Sequence, residues 1–465
     1  MTTATKAPTF KVGIDVGGTF TDLLLWSSDG DVETYKVLST PHDPAIGVLD
    51  GLSAIATAHG LEIGQFASRI DTIVHGTTVT TNAVLTRRGA KTGLITTEGV
   101  RDALEMRRGI REEQYNNRYL NVVPLVPRHL RVAVSGRLDY RGEELTPLDL
   151  DGVRAAAVAL RQAGVEAVAI CFMNSFANPE HEQAAAAVVR EELADAFLSV
   201  SAEVLPTVRF YNRVSTAALN AYVGPVLRDY IGSLTERLAG AGFDGVLLIM
   251  QSSGGVGLPD LTLARPAVTL LSGPAAGPRA GLAYVGLHGG GDALVVDMGG
   301  TSFDASLVRA GEVAFKAEGE IDRLRIALPM LEIVTIGAGG GSIGWIDAGG
   351  LLRMGPQSAG AAPGPACYVR GGKLPTCTDA DLVLGYLDPT FFAGGKLPLD
   401  VDLARAAIAE HVATPLGLDV EEAAAGMYRV INANMAHGVR ELTVKRGLDP
   451  REFPMVVAGG AGALH

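Results

Sequence analysis

The sequence predicts an α/β protein built from two similar domains, and three observations lead to this prediction. A chain of 465 residues is too long for one ordinary hydrophobic core and suits two. Apolar residues make up 47% of the chain and charged residues 19%, so large cores can be buried. Apolar strands alternate with helical segments, and one glycine-containing motif occurs twice, which indicates a duplicated α/β domain.

Composition argues against several classes of protein. The net charge of −12 argues against nucleic-acid binding, which needs a basic surface. Cys171, Cys367 and Cys377 form no C-x-x-C pair and have no matched histidine, so neither a disulfide framework nor a structural metal site is predicted. The first residues lack an apolar signal core, and no stretch approaches the length of a membrane-spanning helix. We therefore expect a cytoplasmic protein that binds neither nucleic acid nor membrane.

The first predicted domain covers residues 1–288 and begins with a hairpin. The apolar strands KVGIDV and FTDLLLW flank Gly17-Gly18-Thr19. Helical spacing follows over residues 43–69, and then a strand that leads into the threonine-rich loop of TIVHGTTVTTNAVL. KTGLITTEG is a further short strand.

An α/β insertion is predicted at about 147–240 within this domain. A helix over 150–163, the apolar strand VEAVAICF and a helix opening at Glu180 follow one another there. A long helical segment comes next, and we expect it to be interrupted near Gly224 and Pro225.

The second predicted domain covers residues 289–465, with the boundary in the glycine-rich segment 287–292. It opens on the strands ALVVDM and SFDASLV around a second Gly-Gly-Thr turn. It is followed by an irregular glycine- and proline-rich region at 337–375. Two helices at about 402–414 and about 420–446 come next, and the final strand is PMVVA. Because the final strand would leave a sheet edge uncovered, we expect either that this domain continues past His465 or that a partner covers its end.

The two hairpins carry the same motif, D-x-G-G-T-x-x-D, in residues 15–22 and 297–304. A single Asp-Gly turn is a common hairpin whose aspartate merely caps it, but two matched copies favour duplication with a shared function. Glycine amides in a tight turn converge on an anion, and a threonine hydroxyl adds a donor. The aspartate before the glycines suits hydrated Mg²⁺ or the orientation of a water.

The residues of the glycine turns are therefore the candidates for a polyphosphate site. A third glycine turn, VVAGGAG, follows the last strand and could accept a nucleoside. Asp15 and Asp297 are the candidates for catalysis and for Mg²⁺. The candidates for phosphate and nucleotide binding are Gly17, Gly18, Thr19, Thr21, Gly299, Gly300, Thr301, Gly459, Gly460 and Gly462.

The motifs VGIDVGGTFTDLLL, LSGPAAGPRAG, VVDMGGTSFDASLV, IGAGGGSIGWID and VVAGGAGALH resemble the hydantoinase A/oxoprolinase family. That family belongs to the superfamily of actin, sugar kinases and heat-shock-chaperone ATPases. The resemblance covers the whole chain and implies two ribonuclease-H-like, actin-like ATPase domains flanking a nucleotide cleft.

The resemblance also implies an activity. We expect ATP- and Mg²⁺-dependent hydrolysis of a cyclic amide (a hydantoin, 5-oxoproline or a lactam) by phosphorylation of the amide oxygen. The chain would be the ATP-binding A-type subunit, with a B-type hydantoinase subunit as partner. The alternatives are an ATP-dependent carboxylase subunit of the acetone-carboxylase type, a small-molecule kinase, and an ATP-switched activator that is not an enzyme.

Two further sites remain open between a structural and a functional interpretation. Residues 337–344 match G-x-G-x-x-G and G-x-S-x-G, but turn residues rather than the required helix are expected after them. The resemblance implies that Gly339 and Gly340 contribute to the nucleotide pocket. His75 follows a strand, and a single histidine there is either a hydrogen-bonded structural group or, as the resemblance suggests, a catalytic one.

Overall fold

The computed structural model describes residues 8–17, 20–40, 42–109, 111–393, 395 and 397–465. The chain divides into two compact units, and each contains one of the two hairpins. Unit 1 comprises Met1–Gly273 and Lys316–Met330, and unit 2 comprises Pro274–Phe315 and Leu331–His465.

The strands of the described chain, in order, are β1 Phe10–Val16, β2 Phe20–Ser27, β3 Val32–Leu38, β4 Ile70–Thr77, β5 Thr92–Thr97, β6 Arg131–Val134, β7 Arg137–Leu138, β8 Glu144–Thr146, β9 Ala167–Cys171, β10 Phe197–Val200, β11 Val246–Met250, β12 Val256–Gly257, β13 Ala293–Met298, β14 Phe303–Arg309, β15 Glu312–Val313, β16 Phe315–Lys316, β17 Gly319–Ile321, β18 Leu324–Ile326, β19 Met330–Leu331, β20 Ile333–Ile336, β21 Ser342–Ile346, β22 Leu352–Ser358 and β23 Met455–Ala458.

The α-helices are α1 Pro44–Ala58, α2 Ile63–Ala67, α3 Val79–Leu85, α4 Ala103–Met106, α5 Leu150–Gln162, α6 Glu180–Glu192, α7 Ser201–Val204, α8 Phe210–Gly240, α9 Pro259–Ala264, α10 Ala276–Leu287, α11 Cys377–Val383, α12 Val401–Ile408, α13 Thr414–Leu416 and α14 Val420–Leu442. None of these described helices has both the length and the apolar character that crossing a bilayer requires.

The main sheet of unit 1 has the order β12-β11-β4-β1-β2-β3. β1, β2 and β3 are antiparallel neighbours, whereas β4 runs parallel to β1 and β11 parallel to β4. Alternate residues of β1 are buried, as expected of a strand with one face on a core. Helices α1 and α8 supply the other side of this core through side chains such as Leu52, Ile55 and Leu234.

A second sheet of unit 1 has the order β10-β9-β5-β6, with all neighbours parallel. β9 is buried at every position, which parallel strands covered on both faces require. The predicted helix, strand and helix are present here as α5, β9 and α6. Since β5 and β6 pair in the same sheet, this layer starts near residue 92 rather than near 147.

The predicted interruption of the long helix is wrong. α8 runs unbroken from Phe210 to Gly240 with Pro225 inside it. Gly224 lies directly beneath a ring, since a Cβ there would be 2.4 Å from Phe197 Cδ1. Most of this helix is buried, so packing outweighs the backbone hydrogen bond that the proline removes.

In unit 2, β13, β14 and β20 repeat the antiparallel arrangement that β1, β2 and β3 have in unit 1. β13 and β14 form an antiparallel hairpin, β20 pairs with the outer side of β14, and β23 runs parallel to β13. Helix α10 belongs to this unit because Gly281 allows it to pack on β13; a Cβ there would be 2.3 Å from Val295 Cγ2. The units therefore divide at Gly273 and Pro274, ahead of the expected boundary at 287–292.

The region 337–375, expected to be irregular, contains a hairpin. β21 and β22 pair antiparallel within it, so a strand follows the glycine-rich loop where turn residues were expected. The two helices predicted after this region are present as α12, which continues into a π-helical turn at Ala409–Ala413, and α14. Met427 and Ile431 of α14 are fully buried in the core of unit 2.

Candidate nucleotide site

The two hairpins that carry D-x-G-G-T-x-x-D share their strand register and one turn hydrogen bond. The first aspartate is paired with the last in each motif, Asp15 with Asp22 and Asp297 with Asp304. The amide of Gly17 donates to the carbonyl of Phe20 over 3.0 Å, and the equivalent bond from Gly299 to Ser302 has the same length. Equal register and equal turn bonds support the interpretation that the hairpins arose by duplication.

In each hairpin the first aspartate lies beside a glycine. For Asp15 this glycine is in the neighbouring parallel strand β4, and for Asp297 it is in the turn after the neighbouring parallel strand β23. A Cβ on Gly76 would be 3.2 Å from Asp15 Oδ1, and a Cβ on Gly459 would be 2.4 Å from Asp297 Oδ1. The absence of side chains at these glycines gives both carboxylates their space. The third glycine turn is thus adjacent to the second hairpin.

The charge around the two hairpins differs. Lys36 forms an ion pair with Asp22 in unit 1. In unit 2 the hydroxyls of Thr335 and Ser302 donate to Asp304, and no lysine or arginine of the described chain pairs with Asp297 or Asp304. Burial raises the pKa of Asp297 and of Asp304. The second hairpin therefore holds negative charge that a cation would stabilise.

The turn of the second hairpin offers free backbone donors. Within the part of the chain that the structure describes, the amides of Gly300 and Thr301 have no hydrogen-bond acceptor. The Thr301 side chain is exposed beside them. Two adjacent free amides and a hydroxyl suit a phosphate oxygen. The corresponding Gly18 and Thr19 of the first hairpin lie outside the described residues.

The glycine-rich loop around Gly339 and Gly340 supports the second hairpin through backbone hydrogen bonds. The amide of Gly340 donates to the Gly299 carbonyl (3.1 Å) and that of Gly341 to the Gly300 carbonyl (2.7 Å). The amide of Gly339 donates to Ser342 Oγ over 2.9 Å. All three glycines are buried, and the contribution of Gly339 and Gly340 to a nucleotide pocket stays a prediction.

The third glycine turn has both a fixed and an open part. Gly459 has a φ of +83°, which favours glycine, and Ala461 donates its amide to the Met298 carbonyl over 3.1 Å. The amide of Gly462 closes the turn onto the Gly459 carbonyl. Gly460 is exposed and has no atom near the position of a Cβ, so it leaves space above the turn.

Thr21 lies on the core side of the first hairpin. Its side chain is fully buried, and its Oγ1 lies 3.1 Å from Ser39 Oγ. The Ser39 hydroxyl donates to the Gly17 carbonyl over 2.8 Å. Thr21 is therefore not placed to contact a phosphate, and it fixes the turn from behind through Ser39.

His75 is enclosed in the core of unit 1. It is fully buried on β4, and its Nε2 lies 2.7 Å from the Tyr230 hydroxyl. Its Nδ1 has no hydrogen-bond partner in the described chain. Burial lowers the pKa of His75 to about 4, so the ring is neutral at physiological pH. A fully buried, neutral ring favours the structural interpretation.

The lowered pKa of His75 predicts an acid-sensitive fold. Between pH 6.5 and 4 the unfolded chain binds a proton at His75 that the folded chain does not, so stability is lost as the pH falls. From pH 7 to pH 5 the His75→Gln variant should lose about 2 kcal/mol less unfolding free energy than the wild type, measured by urea denaturation. Equal losses in both proteins would contradict the buried neutral state, and unchanged ATP turnover at pH 7 would exclude catalysis by His75.

A cavity of about 420 Å³ opens beside the first hairpin in unit 1. This volume is in the range of small-molecule sites. Hydroxyl, amide and carboxyl groups line it together with a few apolar side chains. The lining residues are Val16, Gly17, Ser39, Thr40, His42, Asp43, Pro44, Thr78, Val79, Asn82, Val226, Asp229, Tyr230 and Ser233.

Sequence analysis missed the hydroxyl groups that hold the glycine turns. Thr378 donates its hydroxyl to the Gly340 carbonyl over 2.9 Å, Ser342 accepts from Gly339, and Ser39 donates to Gly17. Strand alternation could have identified the orientation of Thr21, which shares a buried face with Leu23. No local pattern marks Ser39 or Thr378.

Two family models together match most of the chain. The model described as hydantoinase/oxoprolinase N-terminal region matches residues 11–193, and the model described as hydantoinase/oxoprolinase matches residues 213–465.

Similar proteins include two enzyme subunits and a 5-oxoprolinase. The chain is 42% identical to caprolactamase subunit alpha of Pseudomonas jessenii, with 98% of this chain and 66% of that protein covered. It is 36% identical to the acetophenone carboxylase gamma subunit of Aromatoleum aromaticum, covering 98% and 64%. It is 32% identical to 5-oxoprolinase of Saccharomyces cerevisiae, covering 98% and 38%.

The crystal structure of the ATP-dependent caprolactamase from Pseudomonas jessenii matches with a TM-score of 0.88 over 98% of this chain and 66% of that one. Nucleotide-free acetone carboxylase matches with a TM-score of 0.85 at 31% identity, covering 98% and 66%. The expected two-domain ATPase-like α/β fold is thus confirmed. The chain spans just under two thirds, or less, of the length of these relatives. With both family models matched across these lengths, the chain belongs to the hydantoinase/oxoprolinase family.

Proposed function

We propose that this chain is the ATP-binding subunit of an enzyme that hydrolyses a cyclic amide at the expense of ATP. The observation that carries the proposal is the matched pair of hairpins with the motif D-x-G-G-T-x-x-D, with equal register and equal turn bonds, in a chain similar to an ATP-dependent caprolactamase. The amides of Gly300 and Thr301 are the proposed phosphate donors. Gly17, Gly299 and the turn at Gly459, Gly460 and Gly462 complete the proposed nucleotide contacts.

Asp15 and Asp297 are the proposed ligands of Mg²⁺, directly or through water. Asp297 fits this role because its carboxylate is partly buried and lacks a cationic partner among the described residues. Mg²⁺ bound there would neutralise charge on the phosphates. The residues of the hairpins contribute by holding the phosphates in place and by excluding other orientations.

The cavity beside the first hairpin is the proposed site of the cyclic amide. Asn82 and the hydroxyl-bearing residues of its lining can hydrogen-bond to an amide, and the apolar side chains can contact a ring. Asp43 and Asp229 add negative charge, which favours a neutral substrate such as a lactam or hydantoin over an anionic one such as bicarbonate.

The proposed chemistry has two stages. The amide oxygen attacks the γ-phosphorus of ATP, the bond to the β,γ-bridging oxygen breaks, and ADP leaves. Water then adds to the activated amide carbon, the C–N bond of the ring breaks as the nitrogen takes up a proton, and an acyl phosphate is left. A second water cleaves this acyl phosphate, so that inorganic phosphate and the open-chain acid are released. Phosphorylation is required because a ring amide is a weak electrophile with a poor leaving group.

A second subunit of the B type is the proposed partner for the hydrolytic stage. The caprolactamase and acetophenone carboxylase relatives are named as subunits, and this chain covers only 38% of the yeast 5-oxoprolinase. We also propose a cytoplasmic location, in keeping with three cysteines that are all free and buried.

The direct test is ADP release by the chain with Mg²⁺, alone and with a co-expressed B-type subunit, across a panel of cyclic amides, ketones and bicarbonate. We expect release that depends on one cyclic amide. Release that depends on a ketone with bicarbonate would replace the hydrolase with the carboxylase. A stable phosphorylated product would indicate a kinase, and turnover stimulated only by a protein would indicate an ATP-switched activator.

The cavity assignment predicts a separate effect on the amide. Asn82→Ala should raise KM for the cyclic amide about 10-fold while KM for ATP stays within about 2-fold, because one hydrogen bond to the amide is lost. Steady-state kinetics on the two substrates measures this. Asn117→Ala, at an exposed asparagine outside the cavity lining, is the control. Equal changes in both KM values would contradict this position for the amide.

A further inference from the structure

A cysteine, an aspartate and a histidine meet inside unit 2. Cys377 and Asp381 lie one turn apart on α11, so their side chains share one face of the helix. His465 comes from the segment after the third glycine turn, 88 positions from Cys377. Cys377 and Asp381 are each 1% exposed, and the His465 side chain is 3% exposed. Such burial is unusual for a carboxylate beside a histidine and a thiol.

The three donor atoms have the spacing of a tetrahedral zinc site. Cys377 Sγ lies 3.4 Å from His465 Nε2 and 3.7 Å from Asp381 Oδ2, and Nε2 lies 3.6 Å from Oδ2. Typical zinc bond lengths and a tetrahedral angle give edges of about 3.6 Å for S–N, about 3.6 Å for S–O and about 3.4 Å for N–O. The three observed edges therefore agree with those of a coordinated zinc ion to about 0.2 Å.

Asp381 provides an independent sign of a bound cation. Its second oxygen, Oδ1, is buried and has no hydrogen-bond partner in the described residues. Across the same residues no lysine or arginine pairs with Asp381, and the basic side chain in contact with it is that of His465. A buried carboxylate with an unsatisfied oxygen is costly unless a cation compensates it.

The histidine ring is held in one orientation. It stacks on Tyr428, with ring centroids 4.9 Å apart and an interplanar angle of 18°. The Tyr428 hydroxyl donates to the Leu464 carbonyl over 2.8 Å, which fixes the backbone next to the ring. Its Nδ1 lies 3.0 Å from Asn432 Nδ2, so Nε2 is directed at Cys377 and Asp381. Such support of the ring is typical of metal-bound histidines.

We propose that Cys377, Asp381 and His465 form a zinc site. The combination of thiolate and imidazole selects Zn²⁺ over Mg²⁺, which prefers oxygen ligands. On binding, the Cys377 thiol releases its proton to solvent, and the fourth position is left for water or for Asp381 Oδ1. The ion links the third glycine turn to α11, whose Thr378 holds the Gly340 carbonyl. It therefore fixes two glycine segments on the second hairpin.

Coordination of zinc through His465 Nε2 determines which way the Asn432 side-chain amide must face. The ring proton is then on Nδ1, so the Asn432 amide must turn its oxygen toward the ring. Without the ion the amide donates to Nδ1 and to the Tyr428 carbonyl. Asn432→Asp supplies an acceptor for the Nδ1 proton in advance and should tighten zinc binding about 10-fold.

The test measures zinc binding in the absence of ATP and amide, so its outcome does not depend on the proposed function. The chain is stripped with a chelator and titrated with Zn²⁺ against a fluorescent zinc indicator. Bound metal is counted by mass spectrometry after gel filtration. We expect one zinc per chain, and with Co²⁺ we expect the thiolate-to-cobalt charge-transfer band and the visible bands of a tetrahedral ion.

Variants separate this site from adventitious binding. Cys377→Ser should abolish the charge-transfer band and weaken zinc binding about 100-fold or more, and Asp381→Asn should weaken it about 10-fold or more. Cys171→Ser, at a buried cysteine in unit 1, should bind zinc like the wild type. Circular dichroism of each variant checks the fold, and Asn432→Asp keeps the test valid if Cys377→Ser is unfolded.

Two results would overturn the proposal. The first is a folded wild type that binds no more zinc than folded Cys377→Ser. The second is a cobalt complex without the thiolate band, combined with an Asn432→Asp variant whose zinc affinity is unchanged.

Discussion

Asp297→Asn should reduce ATP turnover by about 100-fold or more and leave the fold intact. The substitution keeps the shape of the side chain but removes the charge that the proposed Mg²⁺ site requires. We expect a large loss of turnover at this position because the Asp297 carboxylate is partly buried, lies beside Gly459 and lacks a cationic partner within the described chain. ADP release under saturating ATP and Mg²⁺ measures the effect.

Asp195→Asn is the matched control, because Asp195 is exposed and far in sequence from both hairpins. It should turn over ATP like the wild type. An Asp297→Asn variant with the wild-type rate would remove Asp297 from the mechanism and with it the proposed role of the second hairpin.

The same substitution should stabilise the chain in the absence of ligands. Burial raises the pKa of Asp297, so the folded state carries a cost for the ionised carboxylate at any pH above that raised pKa. The asparagine variant avoids the cost, so its unfolding free energy should exceed that of the wild type at pH 7. The advantage should shrink as the pH falls through the raised pKa, since the wild type then takes up a proton. Urea denaturation without Mg²⁺ at pH 7 and pH 4.5 checks the sign.

Gly459→Ala should have the second large effect, a loss of ATP turnover of about 100-fold. Its Cβ would be 2.3 Å from the Met298 carbonyl oxygen and 2.4 Å from Asp297 Oδ1, and its φ of +83° is strained for alanine. The backbone oxygen cannot move without β13, so either the turn moves away from the hairpin or the carboxylate is displaced. Each outcome misplaces a proposed nucleotide contact.

Gly286→Ala provides the control for the glycine substitution. Gly286 lies in α10, and nothing approaches the position of its Cβ. Alanine there should keep ATP turnover and raise stability by about 0.5–1 kcal/mol through helix propensity. Wild-type turnover by Gly459→Ala would contradict the close association of the third turn with Asp297.

Local chemistry predicted the features that depend on a few consecutive residues. Both hairpins could be placed because Gly-Gly-Thr between two apolar runs indicates a turn. The sequence α5, β9, α6 could be placed because the hydrophobic period changes from helical to continuous and back. The prediction for α8 failed because Gly224 and Pro225 are helix breakers locally, whereas the burial of the helix decides its actual course.

The site was less predictable than the fold because its details depend on distant partners. His75 could be identified as a polar residue in a strand, but its pairing with Tyr230 spans 155 positions. The neighbourhood of Cys377 and His465 likewise arises only when β23 pairs with β13. Whether a glycine amide faces a ligand or the protein depends on which carbonyl lies opposite, as at Gly339 and Gly340.

The bonds that Gly340 and Gly341 donate affect the electronic state of the second hairpin. A carbonyl and the amide of the next residue belong to one planar peptide unit and point in opposite directions. The carbonyls of Gly299 and Gly300, which accept these bonds, thus share their peptide units with the free amides of Gly300 and Thr301. Each accepted bond polarises its unit and makes the amide on the far side a stronger donor, by about 10–30%. The buried loop thereby strengthens the two donors of the proposed phosphate site and directs both of them away from itself.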